Sequence, residues 1–526
     1  PRICIPSPGL PLMPVGRLPG AVDSRLMTKI TRALEDHASR APERTAVTGS
    51  RVTLTWRELH EAVAATAAKL QDTRTLGLLM ENSPAWIATD LAAIRAGVVN
   101  IPLPVFFSDE QLRHAIRDAQ IDTVITDNPA RLRSLLPGIT EVSLEIAGQP
   151  CVQMVLPVDG TYIKHKDTVK VTYTSGTTGT PRGVQLSLRA IETVAASLTE
   201  AARADRNDRA LVLLPLSILL ENIGSVYVPI IAGAEIIVPD PGDLGLSGSS
   251  EIDAGMFSTA LQSIRPTTMI LPPQLLKLLV ALSRQDAVPD SFRFVAVGGA
   301  PVGIALLDAA RELGLPVYQG YGLSEACSVV ALNTAENNCM GSVGRLLAHN
   351  KVRINEDGEI VIIGETFNGY LNGNGRNTDG ELATGDLGYL DEDGYLYVTG
   401  RCRDRIITGY GRNISPEWVE SEILSQPLIA QAVVFGNDMP CLAAVLVLAQ
   451  HDPQDVDAAV IDSAMQEVNE KLPDYARVCD YIIADAPFSL ATGDLSASGS
   501  PCRAVIEQHY LRQVDNQPEV KNEQLL

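Results

Sequence analysis

Residues 173–184 read Tyr173-Thr174-Ser175-Gly176-Thr177-Thr178-Gly179-Thr180-Pro181-Arg182-Gly183-Val184. Glycines let backbone N–H groups approach an anion closely, and the hydroxyls of Thr174, Ser175, Thr177 and Thr178 add further donors. Arg182 supplies a cation. The composition suits a chain of phosphates, yet the spacing differs from the Gly-x4-Gly-Lys-Ser/Thr loop, because no Lys-Ser or Lys-Thr follows.

Moving outward, the loop follows a short apolar strand at 169–173. Before it, strand-like and helix-like patterns alternate. Strands are predicted at 45–48, 77–80, 98–103 and 123–126. Helical spacing occurs in Leu26-Met27-Ile30-Leu34 and Leu59-Val63-Leu70, then at 83–96 behind an Asn82 or Ser83 cap and at 108–118. After the loop the same alternation returns, with strands at 210–214, 235–238, 268–271 and 294–297. Such alternation implies mostly parallel sheets flanked by helices. Beyond residue 350 short strands and the turns Glu356-Asp357-Gly358 and Asp391-Glu392-Asp393-Gly394 predict hairpins or a small barrel. Residues 401–510 read as a compact α+β unit, with strands at 405–408, 431–436 and 442–448 and helices at 416–424 and 456–471. The expected fold is α/β: a large domain over 25–399, with two doubly wound subdomains and the small barrel, followed by a small mobile α+β domain over 400–512. Residues 1–24 read as a flexible leader and 513–526 as a frayed tail.

At 526 residues the chain exceeds what one core usually serves, and 45% hydrophobic with 20% charged residues is ordinary globular composition. A net charge of -21 argues against a nucleic-acid partner, whose phosphates call for Lys and Arg. The eight cysteines show no Cys-x-x-Cys spacing, so they read as buried small hydrophobes rather than zinc ligands, in a reducing, cytoplasmic setting. The strongest apolar run, 219–238, is interrupted by Glu221, Asn222 and Glu235, so no transmembrane segment is expected.

Further segments follow in order: Gly298-Gly299-Ala300-Pro301, Tyr321-Gly322-Leu323-Ser324-Glu325, Thr384-Gly385-Asp386, Gly400-Arg401-Cys402-Arg403-Asp404 and Asn413-Ile414-Ser415-Pro416-Glu417. Together with the loop at 173–184 they resemble the signature of the adenylate-forming (AMP-binding) superfamily, particularly its long-chain and medium-chain acyl-CoA synthetases. The likeness covers roughly residues 27–510. It implies ATP and Mg²⁺ as cofactors, with Thr174, Ser175, Gly176, Thr177, Thr178 and Gly179 on the phosphates and Arg182 beside them. It places Gly299, Ala300, Pro301, Tyr321 and Gly322 around adenine, Ser324 at the α-phosphate, Glu325 on the metal, and Asp386 and Arg401 on the ribose. Thr174, Arg182, Ser324 and Glu325 are the implied catalytic set. Gly322-Leu323-Ser324-Glu325-Ala326 also approaches a hydrolase nucleophile elbow but lacks its final glycine.

The implied chemistry is activation of a carboxylic acid, fatty or otherwise aliphatic, as an acyl-adenylate with release of pyrophosphate, then acyl transfer to the thiol of CoA or of a carrier protein's phosphopantetheine. The small domain is implied to turn about Arg403, bringing Gly409-Tyr410-Gly411 to the thiol's channel. An acyl-adenylate ligase delivering to an amine and a nucleotide-binding pseudoenzyme are the alternatives. Two departures from the resemblance motivate them. Ser500 stands where the superfamily carries a lysine, with Arg503 or Arg182 as candidate substitutes. In Pro215-Leu216-Ser217-Ile218-Leu219-Leu220-Glu221-Asn222, Ile218 and Asn222 replace a common His and Arg, both expected near the adenylate and acyl pocket.

Overall fold

The computed structural model describes residues 28–511 apart from 158–166, 175–180, 248–250, 374–379, 411, 438, 450–456, 490–491 and 496–500. The leader and tail expected from the sequence lie outside the described residues.

Helix Pro84–Ala96 illustrates how local signals fix an element. Ser83 caps it by accepting from Trp86 N at 3.1 Å, Pro84 needs no N–H in the first turn, and Gly97 ends it in the left-handed region at φ 67°. It is buried from Pro84 through Ile94, as befits a helix between two layers. Thr28 and Ser108 close capping boxes on Lys29–Arg40 and Asp109–Asp118.

Two large sheets form the body. One has seven strands, in spatial order Thr140–Ile146, Gln149–Val155, Thr123–Thr126, Thr75–Leu79, Val99–Pro102, Thr168–Thr174 and Arg182–Ser187; its centre is parallel and both edges are antiparallel hairpins. The other has nine strands, with Phe294–Val297, Thr268–Leu271, Arg209–Leu211 and Glu235–Val238 parallel at its centre. Strand Thr45–Gly49, predicted within the first alternating set, pairs instead with Glu235–Val238 of the second sheet, in parallel. Periodicity identifies a strand but not its partner, so sequence order alone does not divide the two layers.

The barrel expected after residue 350 is a four-stranded antiparallel sheet, Asn350–Ile354, Glu359–Gly364, Glu381–Leu390 and Leu396–Arg401, whose outer strands do not pair with each other. Gly358 and Gly394 take the positive φ values, 82° and 81°, that its two tight turns need.

In the small domain, Ile429–Phe435 pairs antiparallel with Leu442–Leu448, which pairs parallel with Val478–Ile483; helices Pro416–Leu424 and Ala458–Lys471 pack on this sheet around Val419, Ile423 and Val468. The cysteine reading needs one correction. Cys151 and Cys327 are buried thiols, but Cys441 and Cys479 form a disulfide. They stand 38 residues apart yet flank the paired residues Leu442 and Val478 at the start of neighbouring strands, a proximity their spacing does not disclose.

Candidate active site

A cleft of about 4140 Å³ lies where the two large sheets, the four-stranded sheet and the small domain converge. Strand ends supply its floor, as in other α/β folds where binding groups gather beyond the carboxyl ends of strands.

Strand Val317–Leu323 carries Tyr321 into the cleft. Its hydroxyl donates to Asp386 Oδ2 at 2.7 Å, while Arg401 Nε lies 3.0 Å from Asp386 Oδ1. Asp386 and Arg401 are direct partners across neighbouring antiparallel strands, so the hairpin register sets this pair. Asp386 is buried, whereas Arg401 is half-exposed. Burial, reinforced by the Asp386 charge, raises the Tyr321 pKa well above the ordinary phenol range and keeps the hydroxyl a donor.

The second cluster begins at Glu325, in the short turn Ser324–Ala326 that follows the same strand. Tyr370 Oη donates to Glu325 Oε1 at 2.8 Å, and the Arg182 guanidinium lies 3.5 Å from the centre of the Tyr370 ring. Burial and the Glu325 carboxylate push the Tyr370 hydroxyl up to about 12, so it too stays protonated. Just beyond Glu325, Cys327 and Ser328 take φ values of 56° and 96°, which side chains rarely adopt, and a Cβ at Gly322 would run into the Ser328 carbonyl. This tight return positions Ser324 and Glu325 on the cleft wall.

Thr174, at the end of strand Thr168–Thr174, and the turn Gly298-Gly299-Ala300-Pro301 line the same cleft, as do Arg182, Gly322 and Ser324. Ser175, Gly176, Thr177, Thr178, Gly179 and Ser500 lie outside the described residues. Tyr370 escaped the sequence reading; its signal is an aromatic in the Gly369-Tyr370 pair of an otherwise asparagine- and glycine-rich stretch.

Two expected roles change. Arg503, a candidate substitute for the missing lysine, is held inside the small domain: Nη1 and Nη2 reach Glu420 at 2.5 and 2.8 Å, and Nη1 also reaches Val434 O at 3.2 Å. A guanidinium fixed by a two-oxygen grip is not free to neutralise a ligand. Asn222, expected beside the adenylate, is buried at 1% exposure in a polar cluster with Asp90 and Lys170, whereas its neighbour Ile218 does line the cleft. Its place in a helix turned toward the core, not its sequence proximity to Ile218, decides this.

Glu325 fits a divalent ion. Among the described residues its carboxylate takes one hydrogen bond, at Oε1, leaving Oε2 for a metal. No group of three or more His, Cys, Asp or Glu side chains able to hold an ion occurs among the described residues, so an ion here relies on phosphate oxygens as well, the usual habit of Mg²⁺.

Residues 34–378 match the AMP-binding enzymes and residues 403–518 the AMP-binding enzyme C-terminal domain. A long-chain-fatty-acid–CoA ligase of Mycobacterium tuberculosis is 27% identical over 513 residues, covering 82% of this chain and 85% of that protein. A 2-succinylbenzoate–CoA ligase of Bacillus anthracis is 30% identical over 441 residues, covering 78% and 86%. In three dimensions the chain is similar to O-succinylbenzoate coenzyme A synthetase of Bacillus subtilis in complex with AMP (TM-score 0.72, 26% identity, 94% and 99% coverage). An anthranilate CoA ligase in complex with anthranoyl-AMP shares the fold (TM-score 0.77, 18% identity, 93% and 98% coverage).

Proposed function

The chain belongs to the AMP-binding enzyme family, and on that premise we propose that it activates a carboxylic acid with ATP as an acyl-adenylate, releases pyrophosphate and passes the acyl group to the thiol of CoA. One observation carries the reading: a buried acceptor flanked by two donors, Tyr321–Asp386–Arg401, shares a cleft with the Arg182–Tyr370–Glu325 cluster. An acceptor-only carboxylate suits the two ribose hydroxyls, and Gly299, Ala300 and Pro301 with Tyr321 frame a flat base. Arg182 and Thr174 would oppose the phosphates, with Ser175, Thr177 and Thr178 next in sequence offering hydroxyls, and Ser324 would face the α-phosphate. Glu325 would hold Mg²⁺, which when bound would neutralise charge on the leaving pyrophosphate. The chain's own part is alignment: it sets the acid's carboxylate in line with the α-phosphorus and keeps cations where charge accumulates.

Ile218, Leu219, Leu220 and Val228 give one wall of the cleft an apolar character, which supports an aliphatic or aryl acid. The division into a large domain over 25–399 and a small one over 400–512 belongs to the same reading, supported by the gap between the two family matches at 378 and 403. A carrier protein's phosphopantetheine is the alternative thiol. Among the described residues no helix is long and apolar enough to cross a membrane.

Pyrophosphate release from Mg²⁺-ATP with a panel of fatty, dicarboxylic and aryl acids tests the proposal; nucleotide binding without release for any acid sinks it. The second reading, a nucleotide binder with residual adenylation, is favoured by Ser500 in the lysine position and by the engagement of Arg503 with Glu420.

A further inference from the structure

The strand that precedes residues 175–180 carries a charged group that the chemistry above does not use. Lys170, on the strand that ends in Thr174, is 1% exposed, and its three protons have three acceptors: Asp90 Oδ1 at 2.7 Å, Tyr227 Oη at 2.7 Å and the close Asn222 Oδ1. Asp90 is equally filled. Asn100 Nδ2 shares its Oδ1 at 2.6 Å, while Asn222 Nδ2 and Tyr227 Oη reach Oδ2 at 3.1 and 2.7 Å. An ion pair this deeply buried holds only when nearly every lone pair and proton is met, as here.

The cluster's geography is specific. Asn222 and Tyr227 are five residues apart, a spacing that an α-helix turns away from a common face. The segment Ile223–Tyr227 is a π-helix, with Val228 N bonded to Ile223 O, and its wider turn brings both side chains to Lys170 and Asp90. The same bulge presents Gly224, Ser225 and Val228 to the cleft. At the other end Lys170, Thr172 and Thr174 share one face of their strand, and Thr174 lies about 13 Å further along. The cation thus joins the wall of the acyl side to the strand that delivers the phosphate loop. The Asn222 amide, moreover, bonds the same carboxylate as Lys170.

We propose that Lys170 is a positioning residue that ties the π-bulged helix of the acyl wall to the strand ending in Thr174 and so sets the acid against the α-phosphate. The inference rests on the acid-activating reading. Burial lowers the Lys170 pKa against the opposing pull of Asp90, consistent with a tie that holds only while Asp90 is in place.

Two double variants of the full chain test it, each compared with the parent for melting temperature, pyrophosphate release and hydrogen exchange over residues 168–174. Lys170→Met with Asp90→Leu removes both charges; Lys170→Thr with Asn222→Arg transposes the cation to the helix side of the same cluster. The charge-free pair is expected to fold, to lose about tenfold in kcat with a raised KM for the acid, and to keep the ATP KM within about twofold. The transposed pair is expected to recover to within about threefold of the parent. A folded charge-free pair with parental kcat and KM overturns the proposal, as does a transposed pair that is unfolded or no better than the charge-free one. Should the charge-free pair not fold, a parent-like transposed pair still supports the tie. If the parent itself releases no pyrophosphate, the acid-activating reading fails, and exchange decides the tie separately: faster exchange in the charge-free pair restored by transposition supports it, and equal exchange in all three overturns it.

Discussion

The two walls of the cleft are built differently. On the large-domain side, Tyr321 and Asp386, joined by Arg401 from just past the domain boundary, and then Arg182, Tyr370 and Glu325, form two clusters with each hydroxyl aimed at a carboxylate. On the small-domain side Arg503, at the edge of the cleft, is held by Glu420, and Ser500, which the family resemblance sets against a lysine, lies outside the described residues. The connected polar clusters therefore gather mainly on the large-domain side, and a charge added at position 500 is the way to ask what the small-domain side contributes to rate.

The comparison is broken most forcefully at the binding wall. Asp386→Ala strands the Tyr321 hydroxyl and the Arg401 guanidinium, and should lower kcat/KM for ATP by about 100-fold in pyrophosphate-release kinetics; a loss confined to the second, thiol-dependent step would show that the ribose is held elsewhere. Next in size, Ser500→Lys should raise the adenylation rate about 10- to 100-fold, read from single-turnover formation of the acyl-adenylate. An unchanged rate would mean that the small-domain wall is already complete. Tyr370→Phe keeps the stacking on Arg182 but removes the donor to Glu325, so a loss of about fivefold is expected, with a raised Mg²⁺ requirement in magnesium titrations.

A further expected effect falls on stability rather than on rate. Glu221 is fully buried, accepts from Leu213 N at 2.9 Å, and burial raises its pKa to about 8. Its folded pKa lies above its unfolded value near 4.5, so the stability it contributes is full below pH 4.5 and is lost as pH rises through 8. Glu221→Gln should flatten that fall, gaining on the order of 2–4 kcal/mol at pH 8 in denaturant titrations and little at pH 4.5.

Much of the large-domain wall was legible in the sequence because its groups sit in short contiguous runs: Tyr321 through Glu325 lie within five residues, and Asp386 and Arg401 at the two ends of one hairpin. Helix limits were equally readable where caps exist, as at Ser83 and Gly97. What stayed hidden depends on long-range pairing. Tyr370 takes its place through Glu325, 45 residues distant, and Arg182, further still; Asn222 and Tyr227 meet at one cluster because of a π-bulge that helical spacing does not encode; Cys441 meets Cys479 through strand pairing. Arg503 looked available from its position alone, and only the approach of Glu420 from 83 residues away removes it.

Strand Thr45–Gly49 carries a consequence for synthesis. Its parallel partner is Glu235–Val238, and Thr48 Oγ1 donates to Glu235 Oε1 at 2.7 Å across 187 residues. At about 5–20 residues per second, a ribosome needs roughly 10–40 s to make the second strand after the first has emerged. During that interval Thr45–Gly49 keeps an unpaired β-edge close in sequence to the apolar Trp56 and Leu59, which the folded chain buries, so this stretch is exposed long before the second sheet can cover it.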